Sequence, residues 1–158
     1  MSKTYVPEKF RTYVSNSKTY IQRTPQNIEK MAYGLMRYLV DRELFDDVRI
    51  YFKKGKSWHA LQGYKPERGN IPFQEIIHNH GNREYKAYLL SDIDPNDYFE
   101  YNGDYLSMSF EGPLYHIING TEYLHVHQYV CEHLRNYFSH WGLYYEQGHA
   151  WNLSLYEE

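Results

Sequence analysis

The chain has 158 residues, a net charge of −3 and a single cysteine, Cys131. One cysteine excludes an internal disulfide, and no apolar run approaches the length of a transmembrane helix. The N-terminal residues also lack the apolar stretch of a signal peptide. We therefore expect a cytoplasmic protein, folded as one α+β domain over residues 1–158.

The charges are divided unevenly along the chain. Residues 1–86 contain sixteen Lys or Arg and nine Asp or Glu, whereas residues 87–158 contain one Arg and eleven Asp or Glu. This basic half and this acidic half point to charged partners, unless the halves interleave in space and neutralise each other.

The first long element is a helix. Residues 7–14 fit either a short helix or a strand, but Thr24 followed by Pro25 is a typical helix start. Gly34 costs this helix about 1 kcal/mol relative to alanine, so we expect close packing there. The predicted core stripe extends over about 20 residues and consists of Ile28, Met31, Ala32, Leu35, Met36 and Leu39.

Strands follow the helix. Val48, Ile50 and Phe52 alternate with other residues as in a strand, and residues 57–61 fit its hairpin partner. Residues 71–77 and 84–90 predict two more strands. The turn between the first two of these strands, residues 53–56, contains Lys53, Lys54 and Lys56. These lysines are either a solvated hairpin end or a contact for a phosphate backbone or an acidic surface.

The segment of residues 91–104 is the most acidic of the chain. Its Pro, Asn and Gly residues predict a loop. Carboxylates mixed with aromatic rings suit docking onto a basic protein surface, although an ordinary solvated loop has the same composition. The acidic and aromatic residues that matter are Asp92, Asp94, Asp97, Tyr98, Glu100, Tyr101 and Asp104.

The last third predicts a strand, a helix and a hairpin. Leu106, Met108 and Phe110 alternate with serines, as in a half-buried strand. Residues 143–147 can pair with residues 150–156 across a two-residue turn, and Gly142 fits a left-handed helix cap. The apolar helix stripe consists of Leu124, His127, Cys131, Leu134, Phe138 and Trp141. Together these elements predict an antiparallel sheet with two main helices packed on it.

Histidines are the main candidates for chemistry; Cys131 would need an adjacent base to act as a nucleophile, and its place in an apolar stripe predicts an inert thiol. His78 and His80 would share one face of a strand, and His127 and Cys131 lie one helical turn apart. Either pair could bind a metal, but neither has further ligands nearby in the sequence. No phosphate loop or nucleophile elbow occurs. We expect no enzymatic activity and no cofactor.

Three stretches carry a family resemblance. They are residues 31–39 (MAYGLMRYL), 106–115 (LSMSFEGPLY) and 141–156 (WGLYYEQGHAWNLSLY). With them the chain resembles small proteins of phages and mobile elements, and it is most similar to the staphylococcal type II-A anti-CRISPR proteins. The likeness covers about half of the chain and includes no catalytic signature.

The resemblance implies a non-enzymatic inhibitor that binds guide-loaded Cas9 in the host bacterial cell. It would block DNA loading or the movement of a nuclease domain. The contact residues that we predict are Asp92, Asp94, Asp97, Tyr98, Glu100, Tyr101, Asp104, Lys53, Lys54 and Lys56. Two alternatives remain: a nucleic-acid-binding accessory protein of a mobile element, and a metal-dependent hydrolase that uses histidines.

Overall fold

A computed structural model describes residues 11–15, 18–52, 55–60, 74–93, 105–121 and 124–158. The strands are β1 (Arg11–Ser15), β2 (Lys18–Ile21), β3 (Val48–Phe52), β4 (Gly55–Ala60), β5 (Gln74–His80), β6 (Arg83–Ile93), β7 (Leu106–Phe110), β8 (Leu143–Gln147) and β9 (Asn152–Glu157). The helices are α1 (Pro25–Asp41), α2 (Pro113–Ile118) and α3 (Leu124–Ser139).

Seven strands form one antiparallel sheet, in the order β5-β6-β4-β3-β7-β9-β8, and β1 pairs separately with β2. Strands β3 to β6 occupy one side of the sheet and β7 to β9 the other. Apart from the second half of β6, the strands of the two sequence halves therefore lie side by side in this sheet, whereas Ile21 and Arg23 of the basic half contact His140 and Trp141 of the acidic half. The α+β fold class is confirmed. No helix in the described ranges is long and apolar enough to cross a bilayer.

Helix α1 begins as the sequence predicts. The Thr24 side chain accepts a hydrogen bond from the Asn27 amide at 3.2 Å, which satisfies one of the free N–H groups of the first turn. The predicted core stripe is entirely buried. Because these apolar side chains recur every three or four residues, α1 lays one continuous face on strands β3 to β6.

Helices α1 and α3 lie side by side and antiparallel. A Cβ atom added to Gly34 would overlap the Tyr137 hydroxyl, and that hydroxyl donates to the Met31 carbonyl at 2.7 Å. The prediction of close packing at Gly34 is therefore confirmed. Tyr38, one turn further along α1, stacks on His133, one turn earlier in α3.

Helix α3 differs from the prediction at its first turn. Cys131, Leu134 and Phe138 are buried as expected, but Leu124 is 65% exposed. The described residues therefore cover the apolar face of α3 only beyond its first turn. The helix ends at Ser139, and Gly142 adopts the predicted left-handed backbone, with φ 69°.

Strand β7 is buried on both faces, so the prediction of a half-buried strand is wrong. It lies between β3 and β9 in the middle of the sheet. Ser107 and Ser109 are buried although they alternate with the apolar residues. The Ser107 hydroxyl finds its partner in the neighbouring strand, at 2.6 Å from the hydroxyl of Ser154.

Several boundaries also need correction. Asp92 belongs to strand β6 and Lys56 to strand β4, whereas the sequence placed both in loops. The connection between β8 and β9 has four residues, 148–151, because Gln147 pairs with Leu153. Helix α2 was not predicted, since six residues are too few to show a helical period. Residues 11–14, which fitted helix or strand, lie in β1.

The residues just before β3 contact the residues just before α2, and we call this contact the corner. Asp47 has a left-handed backbone with φ 57°, and Gly112 lies directly against the main chain of Asp46. The Asp46 Oδ1 atom is buried and has no hydrogen-bond partner in the described part of the chain. Burial, assisted by the neighbouring charge of Asp47, raises the pKa of Asp46 above its ordinary value.

We expect Asp46→Asn to raise the free energy of unfolding at pH 7. The pKa of Asp46 is higher in the folded than in the unfolded chain, so its ionisation costs stability as the pH rises above about 4. The gain should vanish at pH 3, where both states carry the neutral acid. Urea unfolding at the two pH values measures this. Glu132→Gln, at an exposed helix position, is the control, and an equal gain at both pH values would contradict the explanation.

Candidate protein-binding surfaces

The predicted contact residues divide into two groups. Asp92 lies in strand β6 and Lys56 lies in strand β4. The others lie outside the described residues: Lys53, Lys54, Asp94, Asp97, Tyr98, Glu100, Tyr101 and Asp104.

The residues that flank these positions meet at one end of the sheet. Phe52 and Gly55, on either side of the two lysines, end β3 and begin β4. Gly55 pairs with Ile93, and Phe52 pairs with Leu106. The basic turn and the acidic segment, identified separately in the sequence, are thus both flanked by residues of this one sheet end.

Lys56 is less available than a lysine at a free hairpin tip. Its side chain is half-buried, and its Nζ lies 3.5 Å from the Glu29 carboxylate of α1. This ion pair connects β4 to the helix layer. Lys56 therefore offers a partner less free charge than the sequence alone predicts.

A stacked column of side chains that the sequence did not predict lies between α1 and α3. The Arg42 guanidinium lies 3.8 Å from the centre of the Tyr38 ring, and His133 stacks on Tyr38 with ring centres 3.8 Å apart. Burial raises the pKa of Tyr38 and, with the Arg42 charge, lowers that of His133. The column holds Arg42 in a fixed place at the end of α1.

The start of α3 adds exposed apolar groups beside this column. Val126 and Tyr129 are 40% and 61% exposed, and they share a helix face with His133. We call Arg42, Val126, Tyr129 and His133 the helix ridge. Tyr and Arg are frequent anchors of protein interfaces. The spacing of residues 126, 129 and 133 indicates this exposed face in the sequence. It was missed because the stripe on the opposite side of α3 is more apolar.

His127 and Cys131 meet, but not as a nucleophile and its base. The Cys131 sulfur lies 3.6 Å from His127 Nδ1, which is itself 2.6 Å from the Ile117 carbonyl oxygen. A carbonyl only accepts, so Nδ1 carries the proton and cannot take one from the thiol. Cys131 is buried against Tyr145, and burial, with the neighbouring Cys131, raises the pKa of that tyrosine. The two side chains therefore serve as packing between α3 and its neighbours α2 and β8.

His78 and His80 point to carboxylates of the helix layer. His78 Nδ1 lies 3.6 Å from Asp41, and His80 Nδ1 lies 2.8 Å from Glu43. These pairs attach strand β5 to the end of α1. Within the described ranges, no group of three or more His, Cys, Asp or Glu side chains is arranged to hold a metal ion.

The β7–β9 side of the molecule exposes an excess of carboxylates. Arg135 is its one basic residue among residues 105–121 and 124–158. Glu157 also receives a hydrogen bond from Arg23 at 3.1 Å, so one carboxylate is partly neutralised. The exposed carboxylates of this part are Glu111, Glu132, Glu146, Glu157 and Glu158.

No protein-family model, no curated protein and no solved structure matches this chain.

Proposed function

We propose that this protein is a non-enzymatic inhibitor that binds guide-loaded Cas9 and prevents DNA cleavage. The observation that carries the proposal is the end of the sheet where Phe52, Gly55, Ile93 and Leu106 are neighbours. One partner surface could contact both the basic turn and the acidic segment there. The choice of Cas9 rests on the resemblance to the staphylococcal anti-CRISPR proteins.

The charges favour such a partner. Cas9 holds its guide–target heteroduplex in a positively charged channel. Because β7 to β9 lie together on one side of the sheet, the exposed carboxylates Glu111, Glu146 and Glu157 are grouped there and are not spread among the strands of the basic half. These carboxylates would speed the encounter with the channel through their long-range charge, and the aromatic rings of the acidic segment would then supply the contact area.

The ion pairs disfavour the nucleic-acid-binding alternative. Four basic side chains of the first half each contact a carboxylate: Arg23, Arg37, Lys56 and Lys86. Charge used in this way attracts a phosphate backbone less strongly. We therefore expect weak binding to bare DNA or RNA at physiological salt, which a gel-shift assay at two salt concentrations would measure.

The direct test is target-DNA cleavage by guide-loaded Cas9 with increasing amounts of this protein. One staphylococcal and one streptococcal enzyme should be used. We expect inhibition of at least one enzyme to saturate near a one-to-one ratio, because a binding inhibitor acts stoichiometrically. Uninhibited cleavage by both enzymes at a large excess would reject Cas9 as the partner.

A further inference from the structure

The two edges of the seven-stranded sheet are protected differently. At the β5 edge, Arg37 of α1 donates to the Ile77 carbonyl at 3.1 Å, and the ion pairs of His78 and His80 hold the strand to the helix. At the β8 edge, no strand pairs with the outer side of β8 among the described residues. An open edge is a template for another strand.

The hydrogen bonds of β8 show which main-chain groups face outward. The Glu158 amide donates to the Gly142 carbonyl, and the Gly148 amide donates to the Asn152 carbonyl. Bonded pairs of antiparallel strands recur at every second residue. Residues 144 and 146 therefore bond to β9, and the N–H and C=O groups of residues 143, 145 and 147 point away from the sheet.

We propose that this protein forms a two-fold dimer in which β8 pairs antiparallel with β8 of a second copy, centred on Tyr145. In this register the outward amides and carbonyls of residues 143, 145 and 147 all meet partners. Tyr144 lies opposite Glu146 of the second copy, and Leu143 lies opposite Gln147. The two sheets become one continuous sheet, and the proposal does not depend on Cas9 as a partner.

The side chains favour a second copy over an unrelated strand. The register places no carboxylate opposite another carboxylate, because Glu146 of each copy lies opposite Tyr144 of the other copy. Within one chain the Tyr144 hydroxyl already donates to Glu146 at 3.3 Å, so the two groups suit each other. Tyr144 is 38% exposed and Glu146 is exposed, so a second copy can reach both and exchange this bond for the same bond between copies.

Sedimentation equilibrium between about 1 and 200 µM tests the dimer. Tyr144→Glu places two carboxylates opposite each other on both sides of the two-fold axis, and we expect it to raise the dissociation constant about tenfold. Tyr144→Lys places an ammonium group there and should lower the constant or leave it unchanged. A monomer throughout this range, or a shift in the same direction for both variants, would overturn the proposal and leave the edge to a strand of another protein.

Cross-linking tests the register. Directly opposed residues that are not hydrogen-bonded have Cα atoms about 4.5 Å apart, which a disulfide can span. A mixture of Tyr144→Cys and Glu146→Cys proteins should therefore form a linked dimer on mild oxidation, whereas neither protein alone should do so efficiently. A dimer that is not cross-linked in the mixture uses another surface, and the β8 pairing would then be wrong.

Discussion

Gly112→Ala is expected to lower the free energy of unfolding by about 3 kcal/mol. A Cβ atom at this position would overlap the main-chain carbonyl of Asp46. Both partners are main chain, so neither can move aside by changing a rotamer. The corner is further fixed by the Glu111 amide, which donates to the Asp47 carbonyl at 3.3 Å. The strain must therefore spread into β3 or into the start of α2.

Gly81→Ala provides the control for this prediction. Gly81 has φ 62° in the turn between β5 and β6, and no atom would meet its added Cβ within 4 Å. The control should cost only the backbone penalty of a left-handed alanine, about 1 kcal/mol. Urea unfolding of both variants gives the comparison. If Gly112→Ala were as mild as Gly81→Ala, the corner would be far more compliant than its contacts indicate.

Local signals were sufficient for helix α1. In α1 the cap at Thr24 and the apolar period lie within one element, and the structure follows them from Pro25 to Asp41. The same reading failed at Leu124, because periodicity shows which residues share a face but not how far the neighbouring surface extends. That extent depends on the elements packed against this face, such as α2, whose Ile117 carbonyl oxygen lies 2.6 Å from His127.

The strands show a second limit. The alternation of β7 is the same whether Ser107 faces water or a neighbouring strand, since serine is small and can be buried with a partner such as Ser154. Strand order decides between these cases, and strand order is set by long-range pairing. The four-residue connection before β9 was missed for a related reason: its length follows from the pairing of Gln147 with Leu153.

The candidate surfaces were also predicted only in part from the sequence. The basic turn and the acidic segment could be read from composition, because charge excess is a property of the sequence. The sequence does not show that their flanking residues lie at the same end of the sheet. That follows only from the register of β3 with β7 and of β4 with β6. In the helix ridge, the spacing of residues 126, 129 and 133 is visible in the sequence, but the place of Arg42 beside them depends on the contact of Tyr38 with His133.

Reversing three charges of the acidic segment should abolish most of the Cas9 binding that we propose. For Asp94→Lys, Asp97→Lys and Glu100→Lys together, we expect the half-inhibitory concentration in the cleavage assay to rise about 100-fold, which corresponds to about 2.7 kcal/mol. Attraction to a basic surface then becomes repulsion, and like charges across an interface cost several kcal/mol. Circular dichroism and thermal unfolding would establish that the variant is folded.

A matched triple reversal separates local contact from net charge. Glu111→Lys, Glu132→Lys and Glu158→Lys change the net charge by the same amount, at exposed positions outside the acidic segment. Long-range steering depends on the total charge and is screened over about 8 Å at physiological salt, so this variant should lose only a few-fold in potency. Equal losses in the two variants would mean that overall charge drives the binding and that the acidic segment does not contact Cas9.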